Sequence, residues 1–237
     1  MPSAAVDVRA LGVDFLAFSF HKLLAPFGSG VLYGRADLLQ AALPFLYGGD
    51  MVAEGGVTAG HVTYNRLPWK YAAGTPNVLG VIVSAQALRL LADLVVPASR
   101  GYFRSNRPLP RSTIEETMRR VGSHTRDLTA RALDAVRHID GLILHGPDHA
   151  ADRAPLIAFN LVGRSPASVA EALDRHGVES RAGCHCATLA HHALGLDPPA
   201  SCRLSFAVYN TVEDVDRATG ALHRVSRAGR GPLARLR

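Results

Sequence analysis

The stretch that most constrains this chain is an apolar run, Val13 to Phe18, that leads directly into a polar cluster, Ser19-Phe20-His21-Lys22. A proline- and glycine-rich segment, Ala25 to Gly30, follows. An apolar run bounded by breakers reads as a buried strand that delivers side chains to a site at its end. Val31-Leu32-Tyr33, set between Gly30 and Gly34, is short and apolar enough for a second buried strand. Lys22 is the candidate reactive group. Desolvation beside a buried strand lowers an amine's pKa, and a neutral amine forms a Schiff base with an aldehyde. The plain alternative is a solvated lysine at a strand end.

The chain has 237 residues, 48% of them hydrophobic and 19% charged, enough for one or two domains with a sizeable core. Its formal charge of +6 allows nucleic-acid binding, but the basic residues are spread along the chain, so no nucleic-acid partner is expected. The one dense cluster, Arg224 to Arg237, lacks apolar periodicity and reads as a solvated basic tail. No uninterrupted run of 18 apolar residues and no signal-peptide pattern is present, so no membrane partner is expected. Three cysteines, two of them in Cys184-His185-Cys186, make no disulfide framework and fit a reducing, cytoplasmic setting.

Residues 6 to 34 read as helix end, strand, turn and strand, and 35 to 42 as a short helix. Residues 51 to 68, rich in Gly, Thr and Asn, read as a long loop. Thr75-Pro76 opens a helix over about 78 to 94. Ser112 and Glu115, at capping-box spacing, begin another that runs to about Val136. Strands are expected at 142–145, 155–162, 178–181 and 203–208. Helices are expected from Ser165, after Cys186, and from Thr211 with Asp214 three residues on. The resulting domains are 1–124, a small α+β domain at 125–225, and the tail at 226–237.

Three segments occur in a familiar order: Asp14 to Lys22, Tyr71-Ala-Ala-Gly-Thr-Pro-Asn77, and Arg181-Ala-Gly-Cys-His-Cys-Ala187. With Arg203-Leu-Ser-Phe-Ala-Val-Tyr-Asn-Thr211, they resemble the group II (SufS-like) cysteine desulfurases, within the class V aminotransferase family of pyridoxal-phosphate enzymes. The resemblance covers nearly the whole chain but only the C-terminal half of the family's pattern. It implies an α/β fold, that of fold type I PLP-dependent transferases, with an incomplete large domain followed by the small α+β domain.

The resemblance also implies roles. Lys22 would carry pyridoxal 5'-phosphate, and Ser19 and His21 would hold its phosphate, with Thr75 doing so from the neighbouring subunit of a homodimer. Cys186 would take sulfur from L-cysteine as a persulfide, leaving alanine, for a sulfur-acceptor protein in iron–sulfur cluster assembly or a related pathway. Arg203 would clamp the substrate carboxylate, with Arg181 alongside. A thiolate at Cys186 would be favoured by His185, Arg181 and the following helix N-terminus. Phe20 and Cys184 depart from the family: the first position is usually small, and the second is more often histidine or another residue.

Alternatives stand beside these roles. Cys184, His185, Cys186, His191 and His192 offer zinc ligands, although the spacing is not a strong zinc pattern, and no metal is assigned. Cys202, on an apolar strand, reads as a small core residue. Selenocysteine lyase, aminotransferase or epimerase activity, or an inactive scaffold, would use the same framework. The family's phosphate loop, ring-stacking aromatic and acidic ring-nitrogen partner have no counterpart here, which points to a missing N-terminal half. Strands 13–20 and 29–33 would then lack neighbours.

Overall fold

The computed structural model describes residues 3–105 and 107–228. The chain divides into two compact units, Met1–Met118 and Arg119–Arg237.

In the first unit a short helix α1 (Val8–Leu11), capped by Asp7, precedes strand β1 (Phe15–Ser19). A single 3-10 turn, Phe20–Leu23, separates β1 from β2 (Gly30–Gly34). The two strands pair antiparallel, from Phe15 opposite Gly34 to Ser19 opposite Gly30. Among the described residues they form a sheet of two strands, and their exposure largely alternates. The expectation of fully buried strands is therefore corrected: Phe15 and Leu32 face solvent. Helix α2 (Ala36–Ala41) follows.

Residues 51 to 68 are not a plain loop, because β3 (Val52–Val57) and β4 (Val62–Tyr64) form a second antiparallel pair with an irregular register. Helix α3 (Val78–Val95) matches its expected span, but its cap is Asn77, whose side chain accepts from the Gly80 amide at 2.9 Å. Ser84, Gln86, Arg89 and Asp93 interrupt its apolar run, yet by length and composition this helix could cross a membrane. Val78, Leu79, Val81, Ile82 and Val83 on it are exposed.

Helix α4 (Arg111–Val136) starts one residue before Ser112 and continues through the boundary between the units. The expected capping box is not what engages Glu115, which bonds Arg111 Nε at 2.6 Å. In the second unit β5 (Leu142–His145), β6 (Leu156–Leu161), β7 (Arg181–Gly183) and β8 (Ser201–Ser205) make one antiparallel sheet, ordered β5-β6-β8-β7. Helices α5 (Pro166–Asp174), α6 (Thr188–Ala193) and α7 (Val212–Ala228) complete the unit.

The core follows from periodicity. Ile157, Phe159 and Leu161 alternate along β6 and are buried on one face. Leu128, Ala132 and Val136 on α4, Val169 and Leu173 on α5, and Val215, Leu222 and Val225 on α7 join them in one cluster. Ser165 caps α5. Thr211 and Asp214 form a reciprocal capping box, with Thr211 N to Asp214 Oδ2 at 3.0 Å and Asp214 N to Thr211 Oγ1 at 3.3 Å. Residues 226–228 of the expected tail belong to α7, and 229–237 lie outside the described residues.

Candidate active site

The sequence-predicted residues fall into two groups. Ser19, His21, Lys22 and Thr75 belong to the first unit; Arg181, Cys186 and Arg203 belong to the second.

Ser19 ends β1 and opens the 3-10 turn, but its hydroxyl does not cap that turn. His21 stacks on Phe27 with ring centroids 5.2 Å apart. Lys22 stands in the turn itself and is exposed, so this chain by itself does not bury it. The buried lysine is Lys70, 5% exposed, which donates to Gln40 O at 2.6 Å and Leu39 O at 3.3 Å and so closes the end of α2. Phe20 meets Phe18 edge to face at 5.3 Å. Both line a cavity of about 770 Å³ with Leu23, Tyr33 and Met118 and with the charged Asp7, Arg9 and Glu115, so Phe20 forms part of its wall.

Thr75 is exposed and lies two residues ahead of the α3 cap. Asn77 Nδ2 donates to Gly28 O at 2.9 Å, and Ser84 Oγ lies 2.8 Å from Ser29 Oγ. These two contacts tie the start of α3 to the segment that follows Lys22. Sequence reasoning missed both residues; Asn at a helix start was the available signal for the first.

In the second unit Cys202 and Leu204 point from β8 into the core, so Arg203 faces the other side of the sheet. Arg181 of β7 is its direct cross-strand partner, and Ala158 of β6 flanks it on the other edge. Two arginines directly opposed repel one another unless an anion lies between them. Arg203 Nε is buried without a hydrogen-bond partner. Asn160, left unassigned by sequence, holds its own sheet together, with Oδ1 3.0 Å from His145 Nε2 and Nδ2 donating to Ala200 O at 3.1 Å.

β7 runs out of Gly183 (φ +128°) into a tight turn closed by Ala187 N donating to Cys184 O at 2.7 Å. Both central residues are left-handed, His185 at φ +51° and Cys186 at φ +58°. This is the pattern of a type I′ turn, normally filled by Gly, Asn or Asp. Non-glycine residues there cost about 1–2 kcal/mol each. The turn leaves both Cys184 and Cys186 exposed.

His185 Nε2 donates to Ser201 O at 3.0 Å, and its Nδ1 is buried without a partner. Burial pushes the His185 pKa down, outweighing the Ser201 bond, and the nearby arginines lower it further. Burial therefore favours the neutral ring. A hydrogen bond from the Thr188 hydroxyl and one from the Cys186 amide lower the pKa of the Cys184 thiol. Cys202 Sγ bonds Pro166 O at 3.0 Å, and burial pushes its pKa up to about 11, as befits a core thiol. His191, 7% exposed, is committed to Ala187 O and Ser201 Oγ, each at 2.9 Å. Among the described residues no three His, Cys, Asp or Glu side chains are grouped to hold a metal.

The family model described as Aminotransferase class-V matches residues 1–107 and 111–218. The chain belongs to the class-V aminotransferase family. This class-V chain is 41% identical over 222 residues to a cysteine desulfurase of Klebsiella pneumoniae (strain 342), covering 93% of the chain and 47% of that protein. It is 37% identical over 221 residues to a probable cysteine desulfurase of Halobacterium salinarum, again over 93% of the chain and 47% of the relative. Among solved structures, a cysteine desulfurase from Escherichia coli superposes with a TM-score of 0.77 at 35% identity, over 96% of this chain and 49% of that one. An apo cysteine desulfurase from Thermococcus onnurineus NA1 gives 0.78 at 28% identity, over 96% and 50%. The class-V chain thus has the mixed α/β fold of fold type I. It spans about half the length of the curated relatives it matches.

Proposed function

We propose that this chain carries the C-terminal half of a group II (SufS-like) cysteine desulfurase that uses pyridoxal 5'-phosphate and L-cysteine. The observation that carries the reading is the second unit's sheet face. Arg203 and Arg181 stand opposed with a buried unpaired Nε, and β7 runs directly from them into the strained turn that exposes Cys186. Strain of this kind is kept where a site needs it. A guanidinium matches a carboxylate two-pronged, so Arg203, with Arg181, would bind the amino acid's carboxylate. Cys186 would receive its sulfur.

The donor set in the first unit fits the cofactor: an uncapped hydroxyl at Ser19, an imidazole at His21 and an exposed amine at Lys22. Lys22 would hold the cofactor's aldehyde carbon, and Ser19, His21 and Thr75 its phosphate. When bound, the cofactor supplies an electron sink for bonds at the substrate α-carbon. Lys22 Nζ moves the α-proton. The Cys186 thiolate would attack the sulfur of L-cysteine, forming the S–S bond as the substrate Cβ–S bond breaks. That bond's electron pair stays on the substrate carbons, which take up a proton, giving enzyme persulfide and alanine in equal amounts. Residues 1–124 would be the C-terminal part of the large domain and 125–225 the small domain. The exposed apolar side chains of β1, β2 and α3 support a covering polypeptide, in a cytoplasmic homodimer with a sulfur-acceptor protein as partner.

The test is the visible absorbance of the chain mixed with pyridoxal phosphate, beside Lys22→Ala, followed by sulfide release from L-cysteine. A band that resists dialysis in the parent and vanishes in Lys22→Ala is expected. Sulfide release should be lost in Cys186→Ser without loss of the band. A dialysis-resistant band that persists in Lys22→Ala would sink the assignment.

A further inference from the structure

Cys184 is the feature that the proposed chemistry leaves unused. It shares one closed turn with Cys186, two residues away, and both are exposed. Two peptide steps span at most about 7 Å, and a closed turn shortens that, so the two sulfurs are within reach of one another by side-chain rotation. The Cys184 thiol is engaged by the Thr188 hydroxyl and by the amides of Cys186 and Ala187, all donors that favour a thiolate. Cys202, the remaining thiol, is locked in the core.

We propose that Cys184 is a second sulfur carrier, which takes the outer sulfur of a persulfide on Cys186. This rests on the reading of Cys186 as the first sulfur acceptor. The Cys184 thiolate forms a bond to the outer sulfur of Cys186–S–SH. The existing S–S bond breaks, and its electron pair leaves with Cys186 as a thiolate. The proton stays on the transferred sulfur. The products are a Cys184 persulfide and a free Cys186 thiolate, at unchanged oxidation level and with no other reactant. Cys186 is then ready for another substrate while the sulfur waits on a neighbouring exposed residue.

Two arms test this. In the first, the chain with pyridoxal phosphate is given L-cysteine, alkylated at increasing times, digested and weighed. Added sulfur is expected first on Cys186 and then on Cys184, whereas Cys184→Ser should keep it on Cys186 alone. In the second, inorganic polysulfide replaces both cofactor and cysteine at less than one transferable sulfur per chain. The sulfur should redistribute between the two thiols with time, whatever the desulfurase activity. Sulfur fixed on Cys186 throughout the polysulfide arm overturns the proposal, as does release of sulfide with a Cys184–Cys186 disulfide. Redistribution there without any transfer from L-cysteine upholds the relay and counts against the desulfurase reading instead.

Discussion

Replacing Arg203 with methionine should stabilise the second unit while it weakens carboxylate binding. The arginine stem's packing is largely kept by methionine. Its charge, directly opposite Arg181, is removed. Arg181 is exposed, so the relief of like-charge repulsion sits at the low end, about 0.2 kcal/mol. The larger gain comes from deleting a buried Nε that has no partner, worth about 1–3 kcal/mol. A chain of this size gains about 2–4 °C in melting temperature per kcal/mol, so a rise of several degrees is expected. Binding moves the other way. Losing a two-pronged charge-assisted contact removes about 3 kcal/mol. At about 1.4 kcal/mol per decade, that weakens a carboxylate ligand roughly a hundredfold. The assay is thermal unfolding followed by circular dichroism, with and without acetate. Parent protein should be protected by acetate, and Arg203→Met should melt higher yet gain no such protection. A lower melting temperature with acetate protection intact would refute the argument, because Arg203 would then be a structural residue.

Other outcomes follow from single contacts. Hydrogen bonds to the Cys184 sulfur favour its thiolate, so alkylation by iodoacetamide should persist to lower pH than for an ordinary thiol. Thr188→Val should shift that pH profile upward, since the hydroxyl's hydrogen bond to the sulfur is lost; an unmoved profile would show that the hydroxyl is idle. Asn77→Ala should cost about 1 kcal/mol in chemical denaturation, through the lost cap and the lost tie to Gly28. Gly80→Ala should do similar harm, because a Cβ there would meet the Asn77 side chain.

What the sequence made legible follows local rules. Alternation gave β6, and the Ser165 cap and the Thr211–Asp214 pair marked α5 and α7, because their signals lie within a few residues. The hairpin of β3 and β4 was hidden because Gly55 and Gly56 break apolar alternation and its register is irregular. Strand β7 was placed too early. Val178 is apolar because it is buried, and its amide bonds Leu173 O at 3.1 Å, closing α5 rather than opening a strand. The burial expected of Lys22 fails because β1 and β2 pair only with each other among the described residues. The opposed arginines were legible as residues but not as a pair, since register across β7 and β8 is a tertiary fact.

The core thiol Cys202 has a practical consequence. With two accessible cysteines and one sealed in the main cluster of the second unit, the chain holds a built-in counter of its own opening. A brief pulse of thiol reagent labels two sites when that unit is closed and three when it opens. The fraction carrying a third label, followed against denaturant, reports the unit's opening free energy with no added probe. Comparing that curve with overall loss of helical signal would show whether the second unit melts alone or together with the rest.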